Sequence, residues 1–392
     1  MSKLEELIQE LCPDGVRFKS IKEVYQRVKG TPITAGKMKE IENNKGDIRI
    51  FAGGKTVINA YEKDIPKANI TRVPAVLVQS RGIIDVIYYE KPFTFKNEMW
   101  AYTHQEKISV KFLYYVLKNN INKFRESASG MGSMPQISLK ITEDFKIPIL
   151  PLPIQKEIVR ILDNFTELTV ELTAELTARK KQYEYYRDTL LTFNDTISRI
   201  RLEEIAKIYD GTHTTPNYTT AGVQFISVEN IDKIYSSSKY ISYDDYLKYK
   251  NKPVVGDLFM TRIGTIGKCA VFEKQQDLAY YVSLALIKPD PNIVNSKYLK
   301  YIIESNIGRK ELYKRTLIHA VPIKINKDEI GKIKLPVPPL EEQQRIVNIL
   351  DRFDKLCNNI SEGLPAEIEA RQKQYEYYRD KLLTFKPLEE EK

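Results

Sequence analysis

Apolar residues recur at three- and four-residue intervals along the stretch that begins at Pro151-Leu-Pro-Ile-Gln: Ile158, Ile161, Phe165, Leu168, Leu172, Leu176, Tyr183, Tyr186, Leu190 and Phe193. Pro153 suits a first helical turn, and after it neither glycine nor proline appears until Gly211. The spacing predicts one helix of about 40 residues, roughly 60 Å long at 1.5 Å per residue, whose apolar seam packs on another helix. A second segment of this kind starts at Pro336-Val-Pro-Pro-Leu-Glu-Glu-Gln-Gln and carries Ile349-Leu-Asp351 where the first carries Ile161-Leu-Asp163. There Gly363 and Pro365 predict a break or kink near residues 361–365.

The two helical segments are copies. Residues 179–193, RKKQYEYYRDTLLTF, return at 371–385 as RQKQYEYYRDKLLTF, with only Lys180 and Thr189 replaced, by Gln372 and Lys381. A repeat this long is a duplicated domain-plus-helix unit rather than a solenoid. Between the helices, short apolar runs alternate with turn residues, which predicts strands at 48–51, 75–79, 83–89, 223–227, 257–261 and 284–287 and helices near 110–119 and 296–305. VRFKSIKEV at Val16 and IRLEEIAKI at Ile200 open the two regions alike, whereas their interiors diverge. The expected architecture is mixed α/β. A globular domain over residues 1–150, with an N-terminal helix, precedes a helical spacer at 151–196; a second domain at 197–335 precedes a helical region at 336–392. Each long helix alone exposes an apolar stripe, so the economical arrangement packs the two together, antiparallel, as a pseudo-twofold coiled-coil frame.

The 392 residues exceed what one core usually supports, in agreement with two domains. Charged residues make up 29% and hydrophobic residues 42%, ordinary for a folded chain, and no apolar run is long enough to span a bilayer. The opening MSKLEELIQELCPDG lacks a basic segment followed by an apolar one, so no signal peptide is expected and the predicted location is the cytoplasm. Three cysteines and three histidines lie scattered without metal-ligand or disulfide spacing. The formal charge of +9 fits a polyanionic partner, since Lys and Arg gain affinity by displacing counterions from phosphates, and fits equally a solvated surface.

Several turns offer contacts to nucleic acid. Asp210-Gly-Thr-His-Thr-Thr-Pro216 gathers Gly211, Thr212, His213, Thr214 and Thr215, whose amides and hydroxyls suit phosphate oxygens and base edges, although an ordinary capped loop has the same composition. Val255-Gly-Asp-Leu-Phe-Met-Thr-Arg-Ile-Gly-Thr-Ile-Gly267 predicts a strand ending in Thr261 and Arg262, then a turn with Gly264 and Thr265 and the following Lys268. Arg262 would there be able to read guanine through two hydrogen bonds. Val76-Leu-Val-Gln-Ser-Arg-Gly82 offers Ser80, Arg81 and Gly82 as the counterpart in the first domain. Gly53-Gly54-Lys55 lacks the rest of a phosphate-binding loop and reads as a hairpin turn, with Lys55 a further candidate contact. Gly130-Met-Gly-Ser133-Met-Pro135 and Thr316-Leu-Ile-His319-Ala-Val-Pro322 are either DNA-facing loops or connectors. On the helices, Phe165, Leu172, Leu176, Tyr183 and Tyr186, with Phe353, Tyr375 and Tyr378 in the second copy, fall on the packing seam. Arg187 and Arg379 are expected to meet a partner or a facing carboxylate.

No adenine-methyltransferase tetrapeptide, glycine-rich cofactor loop, Walker motif, GxSxG elbow or nuclease carboxylate cluster is present, so no catalysis is expected from this chain.

PLPIQKEIVRILDNF and PVPPLEEQQRIVNILDRF at the helix entries, KQYEYYRDxLLTF within the helices, and DGTHTTP and VGDLFMTRIGTIG in the second domain resemble the DNA-specificity subunits of type I restriction-modification systems. The likeness runs over the whole chain. The first domain departs from it, Lys29-Gly-Thr31-Pro32 being its nearest equivalent of DGT-x-x-TP. The resemblance implies two target-recognition domains, each reading half of a bipartite, non-palindromic site in double-stranded DNA, with the helices as ruler and docking surface for two methylation subunits. No cofactor is implied for this chain. S-adenosylmethionine, and the ATP and Mg2+ used by restriction subunits, would belong to partners. Two other classes remain: a non-catalytic coiled-coil scaffold, or degenerate subunit, without sequence specificity, and a self-sufficient methyltransferase or nuclease. Residues 169–180, TVELTAELTARK, parse as four-residue units; one more unit would add about 6 Å and roughly 40° to the helix and lengthen the spacer by one or two base pairs. The same stretch also reads as plain coiled coil.

Overall fold

Strand β5 (Ala75–Gln79) is buried at every position and separates two cores. Val76 and Val78 face a cluster built with Phe112, Leu113 and Val116 of the helix Lys107–Asn119, while Ala75 and Leu77 face Phe93 and Phe95 of a second sheet. Alternate side chains point to opposite faces of a strand, so burial on both faces requires an unbroken apolar run. Residues 258–261 of the second domain repeat this, with Leu258 and Met260 in one cluster and Phe259 in another.

The computed structural model describes residues 3–54, 56–129, 134–194, 197–358 and 363–388. The chain divides into two compact units, Met1–Glu171 with Ile368–Lys392, and Leu172–Glu367. The first unit contains β1 (Phe18–Ser20), β2 (Gln26–Val28), β3 (Ile48–Phe51), β4 (Val57–Ala60), β5, β6 (Asp85–Tyr89), β7 (Phe93–Phe95), β8 (Trp100–Thr103) and β9 (Lys146–Pro148). A four-stranded antiparallel sheet runs β2-β8-β5-β6, a three-stranded sheet runs β4-β3-β7 with β3 and β7 parallel, and β1 pairs with β9. The second unit contains β10 (Arg199–Arg201), β11 (Ala206–Asp210), β12 (Val223–Ile226), β13 (Tyr240–Ile241), β14 (Leu258–Thr261), β15 (Cys269–Val271), β16 (Leu278–Tyr280), β17 (Leu284–Pro289) and β18 (Lys334–Pro336). Its sheets run β11-β17-β14-β15 and β13-β12-β16, with β12 and β16 parallel, and β10 pairs with β18. Two domains of divergent interior sequence therefore share one strand order and one set of directions.

A helix covers the four-stranded sheet in each unit: Lys107–Asn119 in the first and Ser296–Glu304 in the second, the latter capped by Asn295, whose side chain accepts from the amides of Lys297 (2.9 Å) and Tyr298 (3.2 Å). The long helix is continuous from Leu152 to Leu190, and the second helical region forms Leu340–Asn358 and Leu364–Leu382. Residues 361 and 362 of the expected kink lie outside the described residues.

The helical seam differs in detail from the sequence pattern. Ile154, Leu162 and Leu191 are buried, Leu172 and Leu176 are half-buried, and Tyr186 is exposed, its ring meeting those of Phe353 and Tyr185. Two further local features stand out. The loop at 210–216, which the sequence pattern places just after the domain's first helix, instead follows a strand, β11, since that helix is only Leu202–Ile205. The strand foreseen at 83–89 begins at Asp85, because Gly82 (φ +76°) opens a turn that only glycine enters freely.

Candidate nucleic-acid interface

In the second domain the candidate residues gather at one end of the four-stranded sheet, where β11 and β14 finish and β15 and β17 begin. Residues 280–283 tie the loops there. The Thr212 amide donates to the Tyr280 carbonyl (3.2 Å), Val282 donates to the Thr212 carbonyl (2.9 Å), and Arg262 donates to the Ser283 carbonyl (3.0 Å). Gly264 donates to the Ile323 carbonyl (2.8 Å), which attaches the hairpin carrying His319 to the same end.

The exposed residues of this end are His213, Thr214, Thr215, Gly264, Thr265, Lys268 and His319, with Thr212 half-buried. Gly211 and Thr261 are buried, the Thr261 hydroxyl accepting from the Lys268 amide (3.0 Å). Arg262 corrects the sequence expectation most. Its side chain is buried, its guanidinium is paired with the Asp210 carboxylate, and its Nε donates to the Ile325 carbonyl (3.1 Å). A guanidinium so committed holds the 210–216 loop onto β14 and has no free fork for a base. Lys268 is exposed but meets Asp232 at 3.0 Å, a surface pair of small energetic weight.

Beside this loop opens a cleft of about 470 Å³, lined by Thr212, Thr214, Thr215, Lys248, Tyr249 and Lys250 among others. The Tyr249 hydroxyl is buried beside the Thr212 side chain, and burial pushes its pKa up to about 12, so it stays a neutral donor at physiological pH. Lys248 and Lys250 are exposed, and among the described residues only Lys248 of the two has a carboxylate partner, Asp245 at 2.6 Å. The sequence reading missed these three residues. The signal was the interleaving of basic and aromatic residues in Tyr246-Leu-Lys-Tyr-Lys250.

The first domain assembles the equivalent end from different chemistry. Thr31 bridges Lys96 in parallel, as Thr212 bridges Tyr281, which identifies Lys29-Gly-Thr31-Pro32 as the structural counterpart of the 210–216 loop. Thr31 is nevertheless fully buried, its hydroxyl 2.7 Å from that of Thr94 and accepting from the Asn69 amide, so it presents nothing to a ligand. Gln79 donates to the Gly54 carbonyl (2.7 Å), and the Gly53 amide donates to Glu98 (3.1 Å), which also meets Lys96 at 3.0 Å. Gly53 and Gly54 thus sit in the β3–β4 hairpin turn. Lys55 and Ser133 lie outside the described residues.

The two arginines are not equivalent. Arg81 bridges Gln136 and Ile263 bridges Lys324; Ile137 donates to the Ser80 carbonyl as Ile325 donates to that of Arg262; Gly82 and Gly264 share φ values of 76° and 79°. Structurally Ser80 therefore stands where Arg262 stands, and Arg81 matches Ile263. A shift of one residue along extended chain reverses the side chain, so Arg81 is exposed while Ser80 is buried, its hydroxyl donating to the Glu98 carbonyl. Arg81 has no carboxylate partner among the described residues, and with half-buried Gly82 it forms the exposed cationic corner of the first domain.

Among the described residues no group of His, Cys, Asp and Glu is placed to hold a metal ion, and no helix is long and apolar enough to cross a membrane.

The chain is 34% identical over 364 residues to the type I restriction enzyme EcoR124I/EcoR124II specificity subunit of Escherichia coli, covering 86% of this chain and 87% of that one. It is also 34% identical over 308 residues to a putative type I restriction enzyme specificity subunit of Haemophilus influenzae, covering 74% and 77%. The fold matches the crystal structure of a type I restriction-modification S subunit from M. genitalium with a TM-score of 0.61 at 15% identity, covering 94% of this chain and 96% of that one. The type I restriction modification DNA specificity domain matches twice, over residues 13–180 and 194–370, once for each sheet assembly described above, and by that double match the chain belongs to the type I DNA-specificity family.

Proposed function

We propose that this chain is the DNA-specificity subunit of a type I restriction-modification complex, in which each globular domain reads one half of a bipartite, non-palindromic site. The observation that carries this reading is the repetition of one domain design with unlike contact chemistry. Strand order is the same in both copies, whereas the loops at the shared sheet end present Arg81 and the Gly53-Gly54 turn in one and His213, Thr214, Thr215 and Thr265 in the other. A frame used twice with different polar groups suits two different half-sites.

The chain supplies address and no chemistry. Methylation subunits, two per complex, dock on the helical regions 151–196 and 336–392 and bring S-adenosylmethionine to an adenine in each half-site; restriction subunits add ATP- and Mg2+-dependent translocation and cleavage. The complex works in the cytoplasm. A bipartite site read by two domains suits half-sites about one helical turn, ~34 Å, apart on a duplex.

Methylome sequencing of a methylation-free host tests the reading. Expression of the cognate methylation subunit with this chain, against that subunit alone, should yield methyladenine in both halves of one bipartite motif only when the chain is present. A soluble complex that methylates no motif would leave a scaffold without sequence specificity.

A further inference from the structure

The hairpin between Leu317 and Lys324 ends the second domain's sheet-end cluster with an apolar tip. It closes through an antiparallel bridge, Leu317 donating to the Lys324 carbonyl at 2.8 Å. Its base is fixed on both sides of Lys324: Ile323 accepts from Gly264 (2.8 Å), and the buried Ile325 donates to the Arg262 carbonyl (3.0 Å). Above that base, Val321 is 100% exposed, and Leu317, Ile318 and Ile323 are exposed at 46%, 44% and 39%. Four exposed apolar side chains within one short, hydrogen-bonded hairpin suit a binding surface.

The surrounding charge selects the occupant. Residues 305–329 carry six cations, Arg309, Lys310, Lys314, Arg315, Lys324 and Lys327, against three carboxylates, Glu311, Asp328 and Glu329, with Asp328 3.8 Å from Lys327. Glu311 is buried and already engaged by Lys314 (2.8 Å) and Arg315 (3.0 Å). Arg309, Lys310 and Lys324 are exposed and have no carboxylate partner among the described residues. An apolar groove on a protein would need no such surplus of cations. Duplex DNA needs both parts, since apolar side chains wedge between stacked bases while nearby Lys and Arg neutralise the flanking phosphates.

We propose that the 317–324 hairpin is a wedge that inserts Ile318 and Val321 between two stacked base pairs of the second half-site, with Lys324, Arg309 and Lys310 on the adjoining phosphates. This rests on the reading of the second domain as a DNA-recognition domain.

The test uses the full complex with its methylation subunit and duplexes carrying 2-aminopurine at successive positions of the second half-site, the methylated adenine excepted. The wild-type complex should raise fluorescence at one step. The Ile318→Ser/Val321→Ser double variant should lose that rise and bind the duplex about tenfold more weakly, with its assembly, followed by light scattering, unchanged. Sequence-specific binding by the wild type without a rise at any step overturns the wedge and leaves the DNA reading standing. A variant that keeps the rise but loses the methylation subunit makes the tip a protein-docking surface and overturns the proposal. Absence of sequence-specific binding by the wild-type complex overturns the DNA reading and the wedge with it.

Discussion

The ring of Phe165 stacks on that of Tyr378, with centroids 5.6 Å apart and planes inclined by 23°. Phe353 and Tyr186 repeat the contact at 5.6 Å and 27°. In each compact unit, then, the helix-entry segment of one copy meets the tyrosine block of the other. Polar contacts follow the same plan. Asp163 accepts from Tyr115 (2.5 Å) and Lys111 (2.8 Å), and Asp351 accepts from Tyr301 (2.6 Å) and Lys297 (2.9 Å). Arg187 and Arg379 each lie 5.6 Å over a ring, those of Tyr183 and Tyr375.

Phe165→Ala should lower stability by about 2 kcal/mol, less than a fully buried phenylalanine would, because the ring is only half-buried. In a double-mutant cycle by urea denaturation, Phe165→Ala and Tyr378→Ala should couple by about 1 kcal/mol, whereas Phe165→Ala and Tyr186→Ala should add. Equal coupling in both cycles would remove the stack as the specific contact.

Arg81 and Arg262 should separate stability from recognition. Arg262→Ala strands the Asp210 carboxylate and should cost about 2 kcal/mol, the partial exposure of Asp210 keeping the loss below that of a fully buried pair. Arg81→Ala should change stability by no more than about 0.5 kcal/mol yet weaken binding to the first half-site. Thermal unfolding together with binding to duplexes mutated in one half-site would check both, and stability losses of equal size would refute the distinction.

That contrast also marks how far sequence reached. The fold class and the repeat were legible because hydrophobic period and duplication act over many residues: β3 and β5 fall at the expected positions, and the long helix follows its apolar seam. Register was not legible. Ser-Arg-Gly82 and Thr-Arg-Ile-Gly264 look alike as strings, but the glycine turn, which sets the pairing, lies one residue after Arg81 and two after Arg262. Tyr249 and Lys250 escaped notice because they join the 210–216 loop only through the tertiary fold.

Burial raises the pKa of Glu304, whose carboxylate accepts from the Cys269 amide at 2.9 Å. Its proton is held more tightly in the folded state, so the stabilising contribution is fully present below the unfolded value of 4.5 and is lost as pH rises through the folded one. Glu304→Gln keeps an acceptor for the amide and removes the ionisation. Wild-type stability should therefore fall relative to the variant between pH 4.5 and neutrality, in urea titrations at a series of pH values. Parallel curves would show that Glu304 ionises without penalty.

Residues 169–180 lie inside the uninterrupted helix Leu152–Leu190, where Leu172 and Leu176 are half-buried and Val170 is largely exposed. Helix of this kind tolerates a four-residue insertion, because added turns continue the backbone hydrogen bonds without opening a core. One further Thr-Ala-Glu-Leu unit after Leu176 would extend the helix by about 6 Å and rotate its far end by roughly 40°. At ~3.4 Å per base pair, the spacer between half-sites should grow by one or two base pairs while both half-sites keep their sequence. Methylome sequencing of a host expressing the insertion variant with its methylation subunit reads the spacer directly. An unchanged spacer would mean that the helix is plain scaffold, and that domain spacing on DNA is set elsewhere in the complex.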